Sequence, residues 1–151
     1  MNKKKIIALL AIAAAVLGCV YYYRMQVADD TDPFAEYKAA MQRDDVGGAT
    51  PRDTLRMFIS ALRANDDVAA ARLFMLDDNL SRAKWEARLA DLKLRGMLVK
   101  MADDIEKNAK ATKPAYEGDA GYELLTDSGV VREFLDMEFN KFSGVWKLQS
   151  L

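Results

Sequence analysis

The chain has 151 residues, 51% apolar and 30% charged, which excludes collagen-like and disordered chains and fits about one globular domain. Twenty-two Lys and Arg face 23 Asp and Glu, and setting aside Lys3, Lys4 and Lys5 leaves 19 basic residues and a net charge of −4. That acidic remainder lacks the positive footprint of a phosphate-backbone binder, so no nucleic-acid partner is expected. The absence of histidine excludes Ser-His-Asp, Cys-His and His-metal sites, and the single cysteine, Cys19, leaves no partner for an internal disulfide.

The three lysines precede an apolar run over residues 6–20, IIALLAIAAAVLGCV, followed by Tyr21, Tyr22, Tyr23 and Arg24. As a helix, residues 6–23 cover about 27 Å, close to a hydrocarbon core. Residues 1–25 therefore read as a membrane anchor or signal segment. The excess of positive charge before the span predicts an N-terminus inside and a C-terminal domain outside, periplasmic or extracellular, with the tyrosines at the interface. Val16-Leu17-Gly18-Cys19 also resembles a loose lipobox, in which Cys19 would carry a lipid anchor. A third reading is a buried core helix.

Residues 26–49 combine the acids Asp29, Asp30, Asp32, Asp44 and Asp45 with Gly47-Gly48, and read as an acidic linker holding two helical turns around Phe34, Tyr37 and Met41. The domain is expected over residues 50–151. Thr50-Pro51-Arg52-Asp53 is a helix start, with a hydroxyl cap, a proline where its missing N–H is harmless, and an early acid at the positive end of the dipole. Leu55, Phe58, Ile59 and Leu62 then place one apolar face inward. Asn65-Asp66-Asp67 separates a second helix, with Val68, Ala71 and Met75 predicted to face inward. Trp85, Leu89 and Leu92, then Leu94, Leu98, Met101 and Ile105, predict two more helices meeting near Gly96, and Lys113-Pro114 closes the helical half.

The apolar period then changes to two. Strands are predicted over residues 121–126, 130–140 and 145–151, with turns at Asp127-Ser128-Gly129 and Lys141-Phe142-Ser143-Gly144. Val131, Glu133, Leu135, Met137 and Phe139 share one side, and Arg132, Phe134, Asp136, Glu138 and Asn140 the other; Trp146 and Leu148 also share a side. The fold class is α+β: an N-terminal membrane helix, then a helical half packed against a curved antiparallel sheet of three to four strands.

The Thr50-Pro51-Arg52-Asp53-Thr54 opening with its apolar face, Asn65-Asp66-Asp67 with an Ala-rich second helix, and the ending Ser143-Gly144-Val145-Trp146-Lys147-Leu148 resemble the nuclear transport factor 2-like superfamily. Within it, the chain is similar to small bacterial membrane-anchored or lipoprotein members of uncharacterised function. The resemblance covers about 100 residues. It implies a cone-like curved sheet around helices, often with a pocket at the open end, and carries over no catalytic motif. The long helical stretch before the last strands departs from that pattern and implies a shorter sheet with a small or absent pocket.

Enzymes on such a cone pair an Asp base with a Tyr or protonated-Asp donor in an apolar pocket. Glu133 is the notable carboxylate because its alternation puts it on the core-facing side beside Tyr122, whereas Asp136 and Glu138 fall on the outer phase. A strand-end position or a pairing with Lys or Arg explains Glu133 equally. The acidic pairs, including Asp66-Asp67 and Asp103-Asp104, lack the alternating calcium-loop spacing and read as capping and solvation. Met57, Met75, Met97, Met101 and Met137 read as core gap-fillers. Trp85, Tyr116, Tyr122, Glu133 and Trp146 are the candidate ligand-lining residues, and Cys19 the candidate lipidation site; no catalytic residue, cofactor or metal is assigned. The expected function is a membrane-tethered, non-catalytic binding or accessory domain for a protein partner or small apolar ligand. The alternatives are an isomerase or hydratase using Asp or Glu with Tyr, and a structural subunit of an envelope complex.

Overall fold

The computed structural model describes residues 16–19, 22, 32–112 and 118–151. Most of the expected anchor, and Lys113-Pro114 and Tyr116, lie outside them. Among the described residues no helix is long and apolar enough to cross a membrane; residues 16–19 are helical, and Cys19 is exposed as a free thiol. A compact unit spans Tyr37–Leu151, with the preceding residues forming a separate unit.

The architecture is α+β: among the described residues from 35 onward, five helices come before a four-stranded antiparallel sheet. The helices are α1 (Ala35–Arg43), α2 (Pro51–Arg63), α3 (Asp67–Ala71), α4 (Ala83–Leu94) and α5 (Leu98–Asn108), and the strands β1 (Ala109–Ala111), β2 (Asp119–Leu125), β3 (Val131–Asn140) and β4 (Val145–Ser150). The sheet order follows the chain, β1-β2-β3-β4.

Local sequence accounts for most element starts. Thr50 caps α2, its side chain accepting from the Asp53 N–H at 3.2 Å while its hydroxyl donates to the Asp53 carboxylate at 2.7 Å. Asp66 caps α3 by accepting from the Ala69 N–H at 2.8 Å. Gly96, at φ +66°, supplies the left-handed turn between α4 and α5 expected there. The core joins Leu55, Phe58 and Leu62 of α2, Leu89 of α4, Leu98 and Ile105 of α5, and Leu124, Leu135, Met137 and Leu148 of the sheet. Phe74 stacks on Trp85 at 4.1 Å and meets Phe58 edge-on at 5.6 Å, so the space between helices and sheet is filled by aromatic and branched side chains.

Three local expectations differ. The second helix is only five residues long: Val68 is 65% exposed, and Ala70 and Ala71 are the buried positions. Beyond it the chain turns extended, and Phe74 forms a parallel bridge with Leu148, so Met75 is not on a helix. Along β3 the inward alternation holds for Leu135 and Met137, but Glu133 is half-exposed and Phe139 and Val131 are exposed, while Asn140, on the other side, is buried. A register shift at Asp136/Met137 accompanies that change. Leu94, expected on an apolar face, is 88% exposed.

The stretch read as a linker also differs from its composition. From Tyr37 onward it packs on the domain, with Met41 and Asp44 buried. Gly48 forms an antiparallel bridge with Trp146, whose N–H donates to the Gly48 carbonyl at 2.9 Å. Here the glycines serve close approach rather than flexibility: a Cβ on Gly48 would lie 2.5 Å from the Thr54 nitrogen, and one on Gly47 2.3 Å from the Trp146 oxygen. Gly48→Ala is expected to destabilise the domain by about 2 kcal/mol or more, since backbone rather than a mobile side chain must give way. Urea unfolding checks this, with Gly144→Ala, which meets no neighbour but sits at φ +76°, separating conformational strain from collision.

Candidate functional site

The outer edge of β4 is covered by two segments: residues 46–48 approach at Trp146, and residues 73–75 run beside Leu148, which donates to the Leu73 carbonyl and accepts from the Met75 N–H. Between these two contacts lies Lys147, with 0% exposure. Its ammonium donates to Asp44 Oδ1 at 2.5 Å, to the Val46 carbonyl at 2.8 Å and to the Arg72 carbonyl at 2.7 Å. All three of its donors are thereby used. Arg82 pairs with the same Asp44 oxygen and donates through Nε to the Phe74 carbonyl at 2.6 Å. Asp44 Oδ2 accepts no hydrogen bond among the described residues, because both cations converge on Oδ1.

A second lock adjoins the first. The buried Asn140 amide donates to the carbonyls of Met41 at 2.9 Å and Asp44 at 3.3 Å, and its oxygen accepts from the Phe142 N–H at 3.0 Å. Ser143 adds a bond to the Asp44 carbonyl at 2.8 Å. The end of α1 is thus held against the β3–β4 turn, where Tyr37 meets Phe142 edge-on at 5.9 Å.

This arrangement builds a groove. Two adjoining depressions of about 350 and 590 Å³ share Tyr37, Met41, Met75 and Glu138. Arg82 and Trp85 flank one end, Phe139 and Phe142 the other. The loop wall at residues 77–81 is held by Asp77, whose carboxylate accepts from the N–H groups of Asn79 and Ser81, both at 2.9 Å. Aromatic rings and thioethers supply apolar contact, and Glu138, which accepts from Gln149 at 3.0 Å, supplies an anionic centre. Such a surface suits binding.

The candidate residues read from sequence do not meet in one place. Trp85 is mainly core, stacked on Phe74, with an edge on the groove. Tyr122 lines a separate depression with Arg52 and Leu55 of α2, and burial raises its phenol. Glu133 lies 3.9 Å from Arg88 in a third depression between α4 and α5. Trp146 packs against Phe139 at 5.6 Å, and its carbonyl accepts from the Thr54 hydroxyl at 2.9 Å. Tyr116 lies outside the described residues. Asp136, on the outer phase, accepts from the Ser150 hydroxyl at 2.5 Å. Asp44, Lys147, Asn140 and Tyr37 are not among the candidate site residues that the sequence offers. The one available signal was a lysine alternating with Trp146 and Leu148 in an apolar strand, which reads as solvent-facing unless its partners are known.

Burial pushes the Lys147 ammonium down to about 8, against the opposing effect of the hydrogen bond it donates to Asp44. In the unfolded chain it returns to its ordinary 10.5. Between those values the unfolded chain holds more protons, so the stability contributed by this group rises with pH across that window. At pH 7, Lys147→Met is expected to cost about 3 kcal/mol or more, because Asp44 loses a buried partner and two carbonyls lose their donor. The stability difference between wild type and Lys147→Met in urea should widen from pH 8 to 10; a constant difference would mean that Lys147 titrates like an exposed lysine. Compared with known proteins, the chain matches no family model, no curated protein and no solved structure.

Proposed function

We propose that the chain is a membrane-tethered, non-catalytic binding or accessory domain on the outer side of the cytoplasmic membrane, whose groove beside α1 takes an extended segment of a protein partner. The observation carrying this reading is the contrast between a filled interior, with Phe58, Leu62, Phe74, Leu135 and Leu148 fully buried, and a groove outside it whose walls are fixed by buried bonds. A pre-set groove loses little freedom on binding, and its mixture of rings, thioethers and a carboxylate suits the alternating side chains and main-chain donors of a peptide.

The anchor belongs to the same proposal. It rests on the lysine-flanked apolar residues 6–20 and the tyrosines that follow. Lipidation of Cys19 is the other form of tether consistent with that segment. Membership of the nuclear transport factor 2-like superfamily, with a curved sheet, is likewise part of this reading. It is supported by the capped α2, by helices preceding an antiparallel meander, and by β4 as the last strand.

A photo-crosslinking residue at Tyr37 or Phe142 of the full chain, in the membranes of the producing cells, is expected to join the domain to a polypeptide. The same residue at Met57, exposed on α2 and outside the groove, should not. Protease added to spheroplasts should remove the domain, and protease added to inverted vesicles should leave it. Crosslinking from Met57 alone, or protection in spheroplasts, would refute the groove or the orientation respectively.

A further inference from the structure

The depression that holds Arg88 and Glu133, apart from the α1 groove, combines features that select one kind of ligand. It lies where α4 and α5 face the start of β3 and has a volume of about 450 Å³. Its apolar floor is Leu92, Met97, Met101 and Leu151, all half-buried, and Leu92, Met101 and Leu151 rest directly on the core. Met101 packs on the edge of the core, as its spacing predicts, whereas Met97 lines the open groove without joining the core. Unbranched thioether side chains at such a surface adapt to a flexible apolar chain without a fixed shape.

The charged rim is unevenly neutralised. Arg132 pairs with Asp104, which also accepts from Asn108 at 2.7 Å, and the hydrogen bond from Arg132 holds the Asp104 carboxyl below its usual range. Arg132 is therefore engaged. Arg88 has two weak partners, Glu133 at 3.9 Å in a long, half-exposed pair and the Trp85 ring 5.8 Å from its guanidinium carbon. Lys100 is exposed on the same rim and has no ion pair among the described residues. One free ammonium, with one loosely held guanidinium nearby, beside an apolar floor complements a single monovalent anion on an apolar tail. A phosphate head would call for several convergent donors. The volume lies within the roughly 300–1,000 Å³ typical of small-molecule sites.

We propose that this groove binds a long-chain fatty acid, its acyl chain along Leu92, Met97, Met101 and Leu151 and its carboxylate on Lys100 and Arg88. The site is separate from the proposed peptide groove, and either assignment can fail without the other.

The test uses the full chain in phosphatidylcholine nanodiscs, irradiated with a diazirine-bearing palmitate, with the adducts mapped by mass spectrometry. Adducts are expected on residues 92–101 and on Leu151. Excess palmitate should reduce them at least about fivefold, its methyl ester should not, and Lys100→Glu should reduce them by a similar factor. Lys100 is exposed, so circular dichroism of that variant should match wild type and exclude misfolding as the cause. Adducts confined to residues 6–23, equal competition by the methyl ester, or full labelling of Lys100→Glu would overturn the proposal. Stronger competition by lysophosphatidylglycerol than by palmitate would overturn the carboxylate assignment in favour of a phosphate-headed amphiphile.

Discussion

The fold turns on a lysine ammonium removed from water and held by one carboxylate and two main-chain carbonyls. Lys147 sits in an edge strand, and its three acceptors come from two stretches far apart in sequence, residues 44–46 and residue 72. These stretches lead directly into the segments that cover the open edge of β4, residues 46–48 at Trp146 and residues 73–75 at Leu148. An unpaired strand edge is an aggregation hazard, and here it is closed by the chain itself. An apolar residue at 147 would leave the carbonyls of Val46 and Arg72 without this donor, so the ion cluster specifies an arrangement that packing alone would leave open.

Much of the remaining architecture follows from that closure. With Asp44 fixed, α1 lies where Asn140 can hold its last carbonyls, and Tyr37 meets Phe142. With residues 73–75 laid along β4, Phe74 enters the core between Phe58 and Trp85. The interior is thereby filled, and the concave surfaces are left on the outside. Glu133 and Tyr122 line different depressions.

Residues whose role is set by their neighbours in sequence were legible. The cap at Thr50, the apolar faces of α2 and α5, the turn at Gly96 and the three long strands all follow from spacing, because helix and strand periods and turn chemistry act within a few residues. Residues whose role is set by distant segments were misread in a consistent way. Gly47 and Gly48 read as flexible, but another strand approaches them closely. Asp44 reads as a linker acid and nothing local marks Lys147, but each is the other's buried partner across 103 positions. Met97 reads as core because spacing does not say which flank of a helix remains uncovered.

The sequence by itself determined the α+β order of helices followed by an antiparallel meander, the acidic charge of the domain, and the lack of any histidine-based or disulfide chemistry. These depend on local periodicity and on which side chains exist at all. Only the tertiary structure decided which polar residues are buried, where the edge of the sheet is closed, and which surfaces remain open as grooves. Those depend on long-range pairings such as Asp44 with Lys147 and Asn140 with Met41. No local pattern encodes them, because the free energy of burying a charge or leaving a carbonyl unpaired is defined only once the distant partner is in place.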